Sequence, residues 1–167
     1  MKKPSAGILI YRKRNDAFEV LLGHPGGPFW AKKDLGAWSI PKGEFEESEL
    51  PLDAAKREFF EETGQTAPSG EYLDLGAIKR KDGKIIQVWA VEGDMAIRSS
   101  GASSVTLEWP PKSGKMITFP EIDRMEWIDL DQAGAKMHYG QSAFVERLAE
   151  HLGVKIEPFE AAQTELF

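Results

Sequence analysis

Apolar residues near the start of the chain come in short runs, each closed by charged residues, Gly or Pro. Ser5 to Arg12 alternates weakly and is rich in Ile and Leu, which predicts a strand. Arg14-Asn15-Asp16 makes a polar turn, and Phe18 to Leu22 reads as the hairpin partner. His24-Pro25-Gly26-Gly27-Pro28 denies both helix and ladder and predicts a loop, which Phe29 to Asp34 continues with Trp30 as an anchor. Ala37 to Ile40 predicts a short strand leading into Pro41-Lys42-Gly43.

The period then changes. Leu52, Ala55 and Phe59 follow helical spacing and form an inward face. Pro51 suits the first helical position, where its missing N–H would have had no partner. Gly64 suits the position just past the end, where the backbone turns left-handed. Tyr72 to Lys81 and Lys84 to Glu92 flank Asp82-Gly83, the signal of a two-residue hairpin. Val105–Trp109 and Met116–Phe119 read as short strands or an ordered loop. Met125 to Leu130 predicts a strand, Leu130 to Met137 a short helix opening at Asp129 or Asp131, and Ser142 to Leu152 an amphipathic helix. Strands on both sides of a central helix, with further helix near the C-terminus, predict an α+β fold with a mixed sheet. A single domain is expected over residues 1–153, with 154–167 a loosely docked or disordered tail.

Composition narrows the class. The 167 residues suffice for one domain with a proper core, and 41% hydrophobic with 29% charged residues is ordinary for a globular protein. No apolar run is long enough to span a membrane, and the N-terminus lacks a signal-peptide pattern. Zero Cys excludes disulfides, a thiol nucleophile and Cys-ligated metals, and makes a cytoplasmic location the natural expectation. A net charge of −6 offers no global attraction for duplex nucleic acid, and no basic stripe supports RNA processing.

The chemistry concentrates on the central helix. Glu58, Glu61 and Glu62 fall at i, i+3 and i+4 and share one face. Three adjacent carboxylates repel, and the C-terminal half of a helix already disfavours negative charge. Arg57 and Lys56 are near, but neither is expected to project from the middle of that face. A hard divalent cation would neutralise it, and oxygen-only ligands suit Mg²⁺, Mn²⁺ or Ca²⁺ rather than Zn²⁺. The plain alternative is a solvated acidic face.

The constellation is wider than the helix. Gly43, Glu49, Arg57, Glu58, Glu61, Glu62 and Gly64 together resemble the signature of the Nudix hydrolases, with Gln65 standing where a bulky aliphatic is usual. The resemblance implies a mixed sheet between helices, an α/β/α sandwich with the signature as a loop–helix–loop. It also implies a Mg²⁺- or Mn²⁺-dependent pyrophosphohydrolase, in which water attacks a phosphorus of a nucleoside diphosphate linked to another group. Carried over residue by residue, Glu58, Glu61 and Glu62 would bind metal, with the carbonyl of Gly43 or Lys42. Arg57 and Glu49 would orient those carboxylates. The general base would be Glu58 or a loop carboxylate, for which Glu121 is the candidate.

Substrate clues are weaker. Lys42 offers a point charge for a phosphate, with plain solvation as the alternative. Five Trp offer stacking surfaces, among them Trp30, Trp38, Trp89 and Trp109, although a buried Trp is more often core. The basic group Lys79, Arg80, Lys81 and Lys84 would steer a polyphosphate or merely solvate a turn. His24, His138 and His151 read as structural or surface residues. The Trp38 to Gly43 approach looks like that of nucleotide and dinucleoside polyphosphate hydrolases. Segments such as Glu108-Trp109-Pro110-Pro111 and Phe119-Pro120-Glu121 resemble a bacterial, MutT-like subgroup of predicted NTP pyrophosphohydrolases. A nucleoside triphosphate or dinucleoside polyphosphate is therefore the expected small-molecule partner. The rival is a non-catalytic nucleotide-binding module, but such modules usually lose signature carboxylates and none is missing here.

Overall fold

In the computed structural model, which describes residues 2–96 and 103–156, the chain is organised around one central strand. Strand β1 (Ser5–Arg14) forms a hairpin with β2 (Ala17–Pro25). Asn15 and Asp16 turn it with φ of 52° and 64°, the left-handed pair that matches strand twist. The short β3 (Lys42–Glu44) pairs with the start of β1.

After helix α1 (Pro51–Thr63) come β4 (Leu73–Lys79) and β5 (Ile85–Glu92). They are followed by a ribbon of β6 (Ser104–Glu108) and β7 (Met116–Pro120), then β8 (Ile122–Asp129), α2 (Leu130–Lys136) and α3 (Ser142–Leu152). The main sheet runs β4-β5-β1-β2-β8, with β1 and β5 parallel and the other pairs antiparallel. The mixed α+β architecture is the expected one.

Both faces of the sheet are covered. Ala6, Ile8 and Ile10 face α1, packing with Ala54, Ala55 and Phe59, while Leu9 faces Phe144, Val145 and Leu148 of α3. Burial on both sides explains why Ala6 to Ile10 reads as a nearly continuous apolar run. Each large side chain buried there contributes about 1.5–3 kcal/mol. Two of the buried residues of α1 are Ala, so the helix backbone approaches the sheet closely and carries its carboxylates to β3.

Three local expectations are corrected. β2 continues through His24 and Pro25, because β8 supplies partners as far as Ile122, with a register shift at His24/Pro25. Proline is tolerated at such an irregular strand end. Ala37 to Ile40 is not a strand but a buried connection with single bridges at Trp38 and Ser39. Its amides go to Lys136 O, Gly23 O and the Gln141 side chain, so the buried backbone is satisfied without a ladder. At Asp82-Gly83 the turn is a three-residue loop, with Arg80 N donating to Lys84 O at 2.8 Å and Gly83 N to Arg80 O at 3.0 Å. Gly83, at φ 92°, supplies the left-handed residue that such loops require.

Other elements lie in the expected places with shifted ends, β1 running on to Arg14 and β8 opening at Ile122. Asp129 caps α2, accepting a hydrogen bond from Asp131 N at 3.0 Å. The expected tail begins with Val154 and Ile156 against the core, and its remainder, 157–167, lies outside the described residues. No helix among the described residues is long and apolar enough to cross a membrane.

Candidate active site

The site starts from the ends of α1. Pro51 occupies the first turn, and Gly64, at φ 73°, closes the helix by donating its N–H to Phe60 O at 2.8 Å. No basic residue lies in the last turn to offset the dipole. The acidic face is held from within by Arg57. Its guanidinium grips Glu49 through Nε and Nη2, both at 2.8 Å, and through Nη1 reaches Glu58 at 2.8 Å and Glu61 at 3.1 Å. Arg57 thus stands between the carboxylates, where the sequence had placed no cation in the middle of the face. The i, i+4 spacing of Arg57 and Glu61 was the available signal. The network holds the guanidinium firmly protonated, with Glu49 the main contributor, and holds the Glu49 carboxyl below its usual range.

Glu62 differs. It accepts a hydrogen bond from Lys42 N at 3.1 Å, and its carboxyl is pushed up to about 8, first by burial and then by the charge of Glu121, with Lys42 opposing. Burial also raises the Glu58 carboxyl, against the pull of Arg57. Burial lowers the Lys42 ammonium, while Glu62 supports its charged form. Glu121 is exposed just after β7, yet its charge is felt at Glu62, Glu58 and Lys42. Lys42 and Gly43 from β3 therefore meet Glu58 and Glu62 from α1 here, and the charge of Glu121 is felt from the β7–β8 junction. Two supports lay beyond the sequence reading. Glu44 on β3 pairs with the buried Lys84 of the β4–β5 loop region, and Ser103 Oγ donates to Glu61 O at 2.8 Å. Neither contact has a local signal, because both are made between distant segments.

Trp38 is a correction. It is 2% exposed, gives its indole N–H to Asp34 at 2.8 Å, and meets the buried His24 edge-on at 5.0 Å. It is a core residue, with no ring face to offer a substrate. His24 is structural: Nε2 donates to Lys33 O at 2.6 Å while Nδ1 faces Asp123. His138 is partly buried and His151 exposed. Trp89 packs in the core beneath α1, whereas Trp30 and Trp109 line a groove beside Glu121.

Comparison with known proteins agrees with this geometry. The NUDIX domain model matches residues 1–148. An uncharacterised 17.7 kDa protein of Enterobacteria phage T4 is 36% identical over 138 residues, covering 79% of this chain and 85% of that protein. The RNA pyrophosphohydrolase of Bartonella tribocorum is 32% identical over 107 residues, covering 56% of this chain and 57% of that protein. Among solved structures, an Ap4A hydrolase binary complex from C. elegans superposes with a TM-score of 0.59 at 20% identity, covering 91% of this chain and 98% of that one. Fold and family model thus agree on the class of domain. The chain belongs to the Nudix family.

Proposed function

We propose that this chain hydrolyses a nucleoside diphosphate linked to another group, a nucleoside triphosphate or dinucleoside polyphosphate, in a divalent-cation-dependent attack of water on phosphorus. The observation that carries the reading is the Arg57 network, in which one guanidinium oriented by Glu49 holds Glu58 and Glu61 beside the half-buried Glu62. A helix whose side chains are tied by such bonds restricts where the carboxylates can lie.

The residues fit a hard cation. Every side-chain donor is a carboxylate oxygen, and Glu62 carries a carboxyl whose burial an added positive charge would relieve. Glu58, Glu61 and Glu62 would hold the ion, with the carbonyl of Gly43 or Lys42. Among the described residues no three acidic or His side chains converge on one point, and Glu61 lies at the exposed end of the network. Mg²⁺ or Mn²⁺, when bound, supplies neutralisation of phosphate oxygens and a water of lowered pKa. Arg57 keeps the carboxylates oriented, which is a positioning role. Lys42 presents a point charge to a substrate phosphate. Glu58 or Glu121 accepts the proton of the attacking water on a carboxylate oxygen. The catalytic unit is one domain over residues 1–153, acting in the cytoplasm as the lack of Cys suggests, with 154–167 a tail.

The test is release of phosphate and pyrophosphate from a substrate panel with Mg²⁺, with Mn²⁺ and with chelator. The panel holds ordinary and oxidised NTPs, diadenosine polyphosphates, ADP-ribose, nucleotide sugars and, given the relatives' name, 5′-triphosphate RNA. Cation-dependent turnover of one class is expected. Turnover indifferent to chelator, or a fully active Glu62→Gln enzyme, would overturn the reading. Ligand binding without turnover would assign the chain to the non-catalytic alternative.

A further inference from the structure

The β6–β7 ribbon stands apart from the main sheet, and its two faces differ. Ser104, Thr106 and Glu108 are exposed with Met116, Thr118 and Pro120, while Val105, Leu107, Ile117 and Phe119 on the other face are half-buried. A lone two-stranded ribbon is marginal in water, so that apolar face needs something to cover it. Part of it meets the loop after β2: a Cβ at Gly27 would lie 2.6 Å from the Phe119 ring. The rest does not close on the protein. It leaves a groove of about 380 Å³ between Pro25–Trp30 and the ribbon, walled by Phe29, Trp30, Leu107, Trp109 and Phe119.

The size is at the small end of ligand pockets, and aromatic walls with few polar groups suit a flat, apolar-faced guest. Apart from the two indole rings, the polar side chain in the lining is that of Glu121. Its backbone N–H donates to Ser103 O at 3.0 Å, and Ser103 Oγ donates to Glu61 O at 2.8 Å, which ties this end of the groove wall to α1. The groove therefore adjoins the acidic helix. A molecule whose phosphate chain lay against that helix would have its other end within reach of the ribbon.

We propose that this groove holds the nucleobase of the substrate, with Trp109 as the principal stacking ring. The inference rests on the nucleotide-hydrolase reading and adds where the base goes. Because the walls stack and make few directional bonds, they accept different bases. The Trp38 side of the site plays no part, since that ring is enclosed.

The test is calorimetric titration of the full chain, with Mg²⁺ present, by AMP and by ribose 5-phosphate, which lacks the base. AMP is expected to bind about tenfold or more tightly than ribose 5-phosphate. Trp109→Ala removes that preference, and Trp109→Phe keeps most of it. Val105→Trp, which fills the groove from within the same ribbon, removes it independently should Trp109→Ala misfold. Equal affinity for the two ligands, or an undiminished AMP preference in either disruptive variant, overturns the proposal. Cation-dependent turnover of nucleotides without base-dependent binding defeats this inference alone. Base-dependent binding that needs Trp109, without turnover of any nucleotide, defeats the hydrolase reading and upholds the groove.

Discussion

The backbone of Gly43 lies directly against the carboxylate of Glu58, with no room for a Cβ between them. A methyl group at 43 would overlap the carboxylate carbon and Oε2, so either β3 or Glu58 must move. Displacements of about 1 Å at a reacting centre lose about a hundredfold in rate. Gly43→Ala should therefore reduce kcat by at least about that factor while the far-UV circular dichroism stays unchanged. A variant with wild-type kcat would show that Glu58 can leave this position without consequence.

Arg57 is the hinge of the carboxylate network, and its forked contact with Glu49 has no equivalent in lysine. Arg57→Lys should lower kcat or cation affinity by about 10- to 100-fold. Its thermal midpoint should change little, because these pairs are partly exposed and contribute below about 1 kcal/mol each. Steady-state kinetics beside a melting curve separates the two effects. A large loss of stability with unchanged activity would make the network a structural brace.

Glu62 carries a pH signature. Its carboxyl is pushed from 4.5 to about 8, chiefly by burial. Without cation, the folded protein keeps a proton that the unfolded chain releases above about pH 4.5. This contribution to stability is complete below the unfolded value and is lost as pH rises through about 8. Glu62→Gln fixes the neutral form, so in chelator its melting temperature relative to wild type should rise steadily across that window. Mg²⁺ should stabilise the wild type more at the alkaline end, because binding needs the carboxylate. A melting difference independent of pH would contradict the half-buried, protonated Glu62.

Trp38 distinguishes core from substrate contact. Trp38→Ala should destabilise by about 3–5 kcal/mol. Trp38→Phe forgoes the bond to Asp34, at about 1 kcal/mol, and should leave KM unchanged. A stable Trp38→Phe enzyme with a markedly raised KM would return the residue to the substrate site.

What the sequence determined by itself was local. Both ends of α1 follow from Pro51 and Gly64, and the shared face of Glu58, Glu61 and Glu62 follows from helical spacing. The β1–β2 hairpin follows from Asn15-Asp16 between two apolar runs. These features depend on neighbours within a few residues, so backbone geometry alone writes them into the order of side chains. The same holds for α3, whose apolar spacing marks the face that meets the sheet.

Tertiary structure decided what depends on distant partners. β2 extends through Pro25 because β8, a hundred residues later, meets it there, and Ala37 to Ile40 gives up its ladder because Lys136 and Gln141 supply other acceptors. Trp38 was an open choice between core and ligand until the main sheet and α2 enclosed it. Arg57 was within reach of Glu61 by spacing, but only its fixed rotamer, held by Glu49, puts the charge between two carboxylates. Glu121 was one loop carboxylate among several in the sequence, and it acquires an effect on Glu62 because Ser103 joins its backbone to that of Glu61 in α1. Proximity of that kind is set by how sheets and helices stack, where the energy is shared among many weak, non-local contacts and no short stretch of residues encodes it.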